Sequence, residues 1–138
     1  MNAPAIIDTN IVVAGLLTQR ADAPVARILD GMLAARFPFA LSEALLAEYR
    51  AVVLRPKLRA RHGLEAGDID VILTELATHA IVLAPAAGPP APDPGDQFLW
   101  NLLAAHPGLI LVTGDKRLLA DPAMQPRLRT AERFLEGR

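Results

Sequence analysis

Four carboxylates in this 138-residue chain sit where chemistry explains them better than packing does: Asp8, Glu48, Asp96 and Asp115. Asp8 interrupts the run AIIDTNIVV, in which Ala5 to Ile7 and Ile11 to Val13 flank the polar trio Asp8, Thr9 and Asn10. A purely structural strand has no use for that trio. Asp115 closes a second apolar run, LILVTGD. In open α/β sheets the functional crevice lies beyond the carboxyl ends of the strands, so both acids fall where a site would form. Two carboxylates in one crevice repel each other, and the usual remedies are a raised pKa or a compensating divalent cation. The chain has no cysteine, which excludes disulfides, thiolate zinc sites and cysteine nucleophiles, so any metal would be held by oxygen.

Taken singly, each acid has an ordinary explanation. Glu48 falls in the middle of an expected helix, among Leu45, Leu46, Tyr49 and Val52, and reads equally as a solvated charge. Asp96 opens another helix and suits an N-cap. Asp8 and Asp115 could each start a turn. Only the set of four points to a common site.

The elements that must position them can be read from apolar spacing. Strand-like runs occur as AII near residue 6, FPFAL around Phe39, AIVLA around Val82 and LILVT from Leu109 to Thr113. Helical spacing covers Pro24 to Ala35, Ser42 to Leu54 with Ser42 as N-cap, Gly67 to His79, and Asp96 to Ala105. Strands alternating with helices predict an α/β fold with a mainly parallel sheet, its short strands buried under helices on both faces. The proline-rich stretch APAAGPPAPDPG, Ala84 to Gly95, excludes helix and reads as a stiff spacer. The tail predicts an edge strand near Leu128 and a last turn of helix ending at Gly137.

Composition narrows the class. With 52% apolar and 21% charged residues the chain is globular, and its length predicts a single domain over residues 1–138. A formal charge of −1 gives no global attraction to nucleic acid, so any polyanion contact needs a local basic patch. One candidate patch is the run Arg50, Arg55, Lys57, Arg59, Arg61, His62, which contains no acid; Lys116 and Arg117 beside Asp115 are another. Trp100 reads as a packing residue or an oligomer contact, and His62, His79 and His106 lack metal-ligand spacing. No leader-like segment and no apolar run of about 18 residues is present, so a cytoplasmic, non-membrane protein is expected.

From Ile6 to Leu119 the chain resembles PIN-domain ribonucleases: IDTN at the first strand end, SEALLAEYRAVVLRPKL in the second helix, DPGDQFL opening the fourth, and VTGDKRLL after the last strong strand. The nearest branch is that of PIN-family toxins related to VapC-type toxins of toxin–antitoxin pairs. The resemblance implies a three-layer sandwich with a five-stranded sheet in the order 3-2-1-4-5, and cleavage of single-stranded RNA with Mg²⁺ or Mn²⁺. Position by position, Asp8, Glu48, Asp96 and Asp115 fall on the acidic metal-site positions, and Thr9, Asn10 and Thr113 on the polar positions that support them. Asp93 matches the first acid of a D-x-x-D segment and reads as a loop or outer residue. Gly95 and the proline insertion depart from the pattern of that loop.

In the chemistry so implied, Asp8 is the central ligand, Asp96 and Asp115 complete the shell, and Glu48 orients water or binds a second ion. Thr9 and Thr113 donate hydroxyl hydrogen bonds that fix the carboxylates. Lys116, Arg117, Arg55 and Lys57 are the expected RNA contacts, an antitoxin the expected protein partner and a homodimer the expected assembly. Two rival enzyme classes fit poorly: a haloacid-dehalogenase-like phosphatase needs a second acid where Asn10 stands, and a receiver domain needs an early acidic pair. A non-catalytic PIN-like module binding RNA or protein is the alternative.

Overall fold

The architecture is that of a computed structural model, which describes residues 4–137. The first three residues and residue 138 of the expected 1–138 domain lie outside the described residues. The chain opens with β1 (Ala5–Ile7), fully buried, and turns directly into α1 (Thr9–Leu17). The β-branched run Ile11-Val12-Val13 favours a strand, and no helix is expected there from the sequence. Asp8 decides otherwise, because its carboxylate accepts the Thr9 N–H at 2.7 Å and caps a helix instead. Helix α2 (Pro24–Leu33) packs closely on α1: a Cβ on Gly15 would lie 2.8 Å from the Val25 carbonyl. It ends two residues before the expected Ala35. Ala35 adopts φ 54°, and the Ala35 and Arg36 N–H groups return to the carbonyls of Met32 and Gly31. This is a Schellman ending without its usual glycine, so the sequence carried no stop signal.

Strand β2 (Ala40–Leu41) leads to α3 (Glu43–Val53), where Ser42 accepts the Leu45 N–H at 3.1 Å as the expected N-cap. The Arg55-Pro56 step then breaks the helix. Proline holds its predecessor extended, at ψ 137° here, and starts a separate helix, α4 (Pro56–His62), closed by Gly63 at φ 69°. Next comes α5 (Ala66–His79), opened by a reciprocal Glu65–Asp68 capping box. It is followed by β3 (Ile81–Val82), the proline segment, a 3-10 turn (Pro94–Asp96) and α6 (Gln97–Leu103). Then β4 (Ile110–Val112), α7 (Lys116–Leu119), β5 (Leu128–Arg129) and α8 (Ala131–Glu136) complete the chain, the last two as the tail predicts.

All strand pairings are parallel, as predicted, but a continuous five-stranded sheet does not form. The strands make a three-stranded sheet in the order β1-β4-β5 and a separate pair β2-β3. Between them runs a single parallel bridge, Ala5 to Phe39, with the Ala5 N–H on the Pro38 carbonyl at 3.1 Å. Pro38 has no N–H to extend that ladder, and β2 is only two residues long. The burial expected of every strand fails at β3, where Ile81 is 42% and Val82 63% exposed. The core is aliphatic around Ile6, Ile7, Ile28 and Leu45, with Trp100 and Tyr49 fully buried, so Trp100 serves packing.

The proline segment is more than a spacer, because α6 grips it through two amide side chains. Asn101 accepts the Ala86 N–H on its carbonyl and the Gly88 N–H on its Oδ1, at 2.9 and 3.1 Å. Gln97 Oε1 accepts the Ala91 N–H at 2.9 Å, while its Nε2 donates to the Pro89 carbonyl and to Asn101 Oδ1. Gly88 permits this approach; a Cβ there would sit 2.7 Å from the Trp100 carbonyl oxygen. Gly88→Ala should therefore destabilise the protein by about 1–3 kcal/mol in urea denaturation, the range for overpacked contacts. Wild-type stability in that variant would mean the segment does not press on the helix.

Candidate functional site

The carboxyl ends of β1 and β4 lie side by side, with Ile7 paired to Val112, and this register brings Asp8 next to Thr113. The Asp8 N–H closes the edge on the Val112 carbonyl at 2.9 Å. Asp8 is buried, and both of its oxygens are engaged: Oδ1 by the Thr9 N–H and Oδ2 by the Thr113 hydroxyl, each at 2.7 Å. Thr113, itself fully buried, passes the contact on by accepting the Asp115 N–H at 3.0 Å. Asp115 then caps α7 through the Arg117 N–H at 2.9 Å. Asn10 ties the first turn of α1 to the same loop by accepting the Gly114 N–H at 3.3 Å.

Glu48 from α3 and Asp96 from the start of α6 face the same place. The four acids, with Thr9 and Asn10, line one end of an open groove of about 660 Å³. The four acids therefore share one groove. Its electrostatics are unfavourable to the charged forms. Burial is the main cause that pushes the Asp8 carboxyl above its ordinary value; the hydrogen bonds from Thr113 and Thr9 oppose it, and the charges of Asp96 and Asp115 add to it. Asp96 is also raised, first by partial burial, then by Asp115 and Asp93, with Arg117 lowering it and Glu48 raising it. Across the rim Arg117 partly compensates, reaching Asp93 at 3.4 Å and Asp115 at 3.5 Å.

Several assigned roles change. Thr9 supports Asp8 through its backbone N–H; its buried hydroxyl has no hydrogen-bond partner among the described residues, contrary to the expected donation. Lys57 and Lys116 are exposed and do not line the groove, and Arg117 lies outside it on the acidic rim. Arg55 does line it, together with Arg61, which had been noted only as part of a basic run. Asp93 is a loop residue as read: it caps the 3-10 turn through the Gly95 N–H at 2.8 Å. Tyr49 was missed. From α3 it donates its phenolic hydrogen to the Ile7 carbonyl, anchoring the strand end that carries Asp8, and burial with the nearby Asp8 charge holds its pKa well above 10. An aromatic in a helix reads as packing, so only its place next to Glu48 hinted at the site.

The pattern of the PIN domain matches residues 4–117. The chain belongs to the PIN domain family. A PIN domain is generally a nuclease fold that uses divalent metal ions. Among solved structures, PAE2754 from Pyrobaculum aerophilum superposes with a TM-score of 0.60 over 98% of this chain and 88% of its own, at 18% identity, a likeness of fold. No curated protein matches the chain. Among the described residues no helix is long and apolar enough to cross a membrane.

The donor set suits a hard divalent cation: carboxylate oxygens, the unpartnered Thr9 hydroxyl and no sulfur. Yet among the described residues no three such acids stand close enough together to hold an ion as they are arranged. Asp8 has both oxygens hydrogen-bonded, and Asp115 turns toward its own helix and Arg117.

These shifts carry a stability sign. Asp8 and Asp96 have folded pKa values above the ordinary 3.8, so the folded chain binds their protons more tightly than the unfolded chain does. Their contribution is fully present below that value and is lost as pH rises through the raised ones. In EDTA at neutral pH, Asp96→Asn should melt higher than wild type, on the order of 3 °C. The gap should close below pH 3.8, and Mn²⁺ should raise the melting temperature of wild type more than that of the variant. A variant that melts lower than wild type at neutral pH would contradict the repulsion.

Proposed function

We propose that this chain is a Mg²⁺- or Mn²⁺-dependent endoribonuclease that hydrolyses phosphodiester bonds of single-stranded RNA. The observation that carries the reading is the convergence of Asp8, Glu48, Asp96 and Asp115, from four separate elements, on one end of an open groove. Asp8, Asp96 and Asp115 would hold the ion, with Glu48 orienting the attacking water or contributing to a second ion. Bound there, the ion would neutralise the acids, polarise a phosphodiester oxygen and lower the pKa of water.

The chain's own residues supply the rest. Thr113 and the Thr9 N–H fix the Asp8 carboxylate, and Tyr49 fixes the strand end behind it. With ligand positions so constrained, the acids on helices α3 and α6 are the ones left to close in as charge is neutralised. Glu48 comes from within α3 and has no ion-pair partner among the described residues, which leaves its carboxylate available to orient water. Lys116 and Arg117 would meet the phosphate backbone from the rim.

The likeness of LRPKL, DPGDQFL and VTGDKRLL to VapC-type toxins extends the proposal to a toxin of a toxin–antitoxin pair. On that reading it is a cytoplasmic homodimer held in check by an antitoxin protein. A second reading, a PIN-like module that binds RNA or protein without cutting it, is favoured by one observation: the acids do not converge to metal-holding distance as they stand.

Purified protein should degrade single-stranded RNA with Mg²⁺ or Mn²⁺ and lose the activity in EDTA. Asp8→Asn should lower the rate at least a hundredfold, in the range for removing a group that stabilises transition-state charge. Induced expression of wild type should arrest growth, and that of Asp8→Asn should not. Equal cleavage by the variant would assign the activity to something else, and metal-independent RNA binding without cleavage would favour the second reading.

A further inference from the structure

The basic run after α3 divides sharply once it is folded. Arg50 turns to α5 and pairs with Asp70 at 2.8 Å, and Arg59 pairs with Glu65 at 3.5 Å. Arg55 and Arg61 face the other way, into the groove, and neither has an ion-pair partner among the described residues. Their placement follows from local chemistry. Pro56 holds Arg55 extended at the start of α4, so that α4 leaves the line of α3 and runs beside α1. His62 then pins the far end: its Nδ1 accepts the Leu64 N–H at 2.9 Å, which leaves Nε2 to donate to the Val53 carbonyl at 2.8 Å.

The same groove holds the four acids and the two arginines. Arg55 follows Glu48 by about two helical turns, on the order of 10 Å at roughly 1.5 Å per residue, with Arg61 further on in α4. This separates an acidic end from a basic end along an aliphatic wall of Leu17, Val52 and Leu58. Among the described residues no aromatic side chain lines it, so a strand lying there depends on charge rather than on base stacking. An acidic peptide could pair with the arginines but would meet repulsion from four carboxylates along the same groove. A nucleic acid differs, because its charge repeats at every nucleotide. A strand with one phosphate at the acids must carry its next phosphates along the groove.

We propose that Arg55 and Arg61 form a second phosphate subsite, which takes a backbone phosphate neighbouring the one at the acidic end. The protein therefore prefers single strands that extend at least one nucleotide beyond the cut bond. The inference rests on the nuclease reading for what occurs at the acids, and only for that.

Fluorescence anisotropy of a short labelled single-stranded RNA, at low salt with Ca²⁺ in place of Mn²⁺ to neutralise the acids without supporting cleavage, separates binding from cleavage. The Arg55→Ala/Arg61→Ala double variant should bind about tenfold or more weakly. It should also reduce the slope of log affinity against log salt by about 0.7, the value for losing one single-strand phosphate contact. Arg59→Ala, which removes an arginine already paired outside the groove, should change neither. In cleavage with Mn²⁺ the double variant should raise KM with little change in kcat, and lose the wild-type preference for an oligonucleotide over a dinucleotide. Wild type that fails to bind, a salt slope unchanged in the double variant, or a poly-glutamate peptide binding as tightly as RNA would each overturn the proposal. Arginine-dependent binding without cleavage would instead remove the nuclease reading and leave the subsite standing. Cleavage with an unaltered slope would do the reverse.

Discussion

The buried carboxylate of Asp8 is the constraint around which the rest of the site is organised. A charge in that position is tolerated because it accepts two short hydrogen bonds, from the Thr9 N–H and the Thr113 hydroxyl, at the edge of the β1–β4 pair. Those bonds do not cancel the burial, since its pKa remains raised. The charges of Asp96 and Asp115 make it worse. A fold selected for stability alone would have placed an apolar or amide side chain here. Retaining an acid in such surroundings is what the proposed cation site would require, and stability is commonly given up at functional sites in this way.

Capping links the fold to the chemistry. Asp8 caps α1, Asp115 caps α7, Asp93 caps the 3-10 turn, and Asp96 stands at the first position before α6. The carboxylates of Asp8, Asp93 and Asp115 are thus aimed by the helical turn that follows each, whereas Asp96 holds the N-cap position of α6 with no side-chain cap bond. The same residue type satisfies orphan N–H groups and builds the anionic pocket. Glu48 is the exception, projecting from within α3, and its neighbour Tyr49 holds that helix to the end of β1. The proline segment contributes from outside: Gln97 and Asn101 bind its backbone, which fixes the approach of Asp93 and Asp96.

Much of this was legible in the sequence, for identifiable reasons. The acids could be found because they punctuate apolar runs, and Ser42 and Pro24 carry strong local signals, whereas the separate helix that starts at Pro56 was not expected. Helix α1 was hidden because Ile11, Val12 and Val13 favour a strand, and only the cap at Asp8 and packing on α2 override them. The end of α2 was hidden because alanine occupies a left-handed position normally given to glycine. Which arginines face the groove was not legible at all. Arg55, Lys57, Arg59 and Arg61 are alike in sequence, and their separation depends on the turn at Pro56 and on Asp70 and Glu65 arriving from α5 and the loop before it. The break between the two sheets likewise depends on how few residues β2 offers beside β1.

The central claim is that these four separated acids form one cation site, and that its charge is what keeps them from closing up. Anomalous diffraction from crystals soaked in Mn²⁺ tests this most directly. The expected result is a manganese peak bounded by Asp8, Asp96 and Asp115, with the Glu48 and Asp96 carboxylates drawn toward it. No peak there at saturating Mn²⁺, with the carboxylates unmoved, would contradict it.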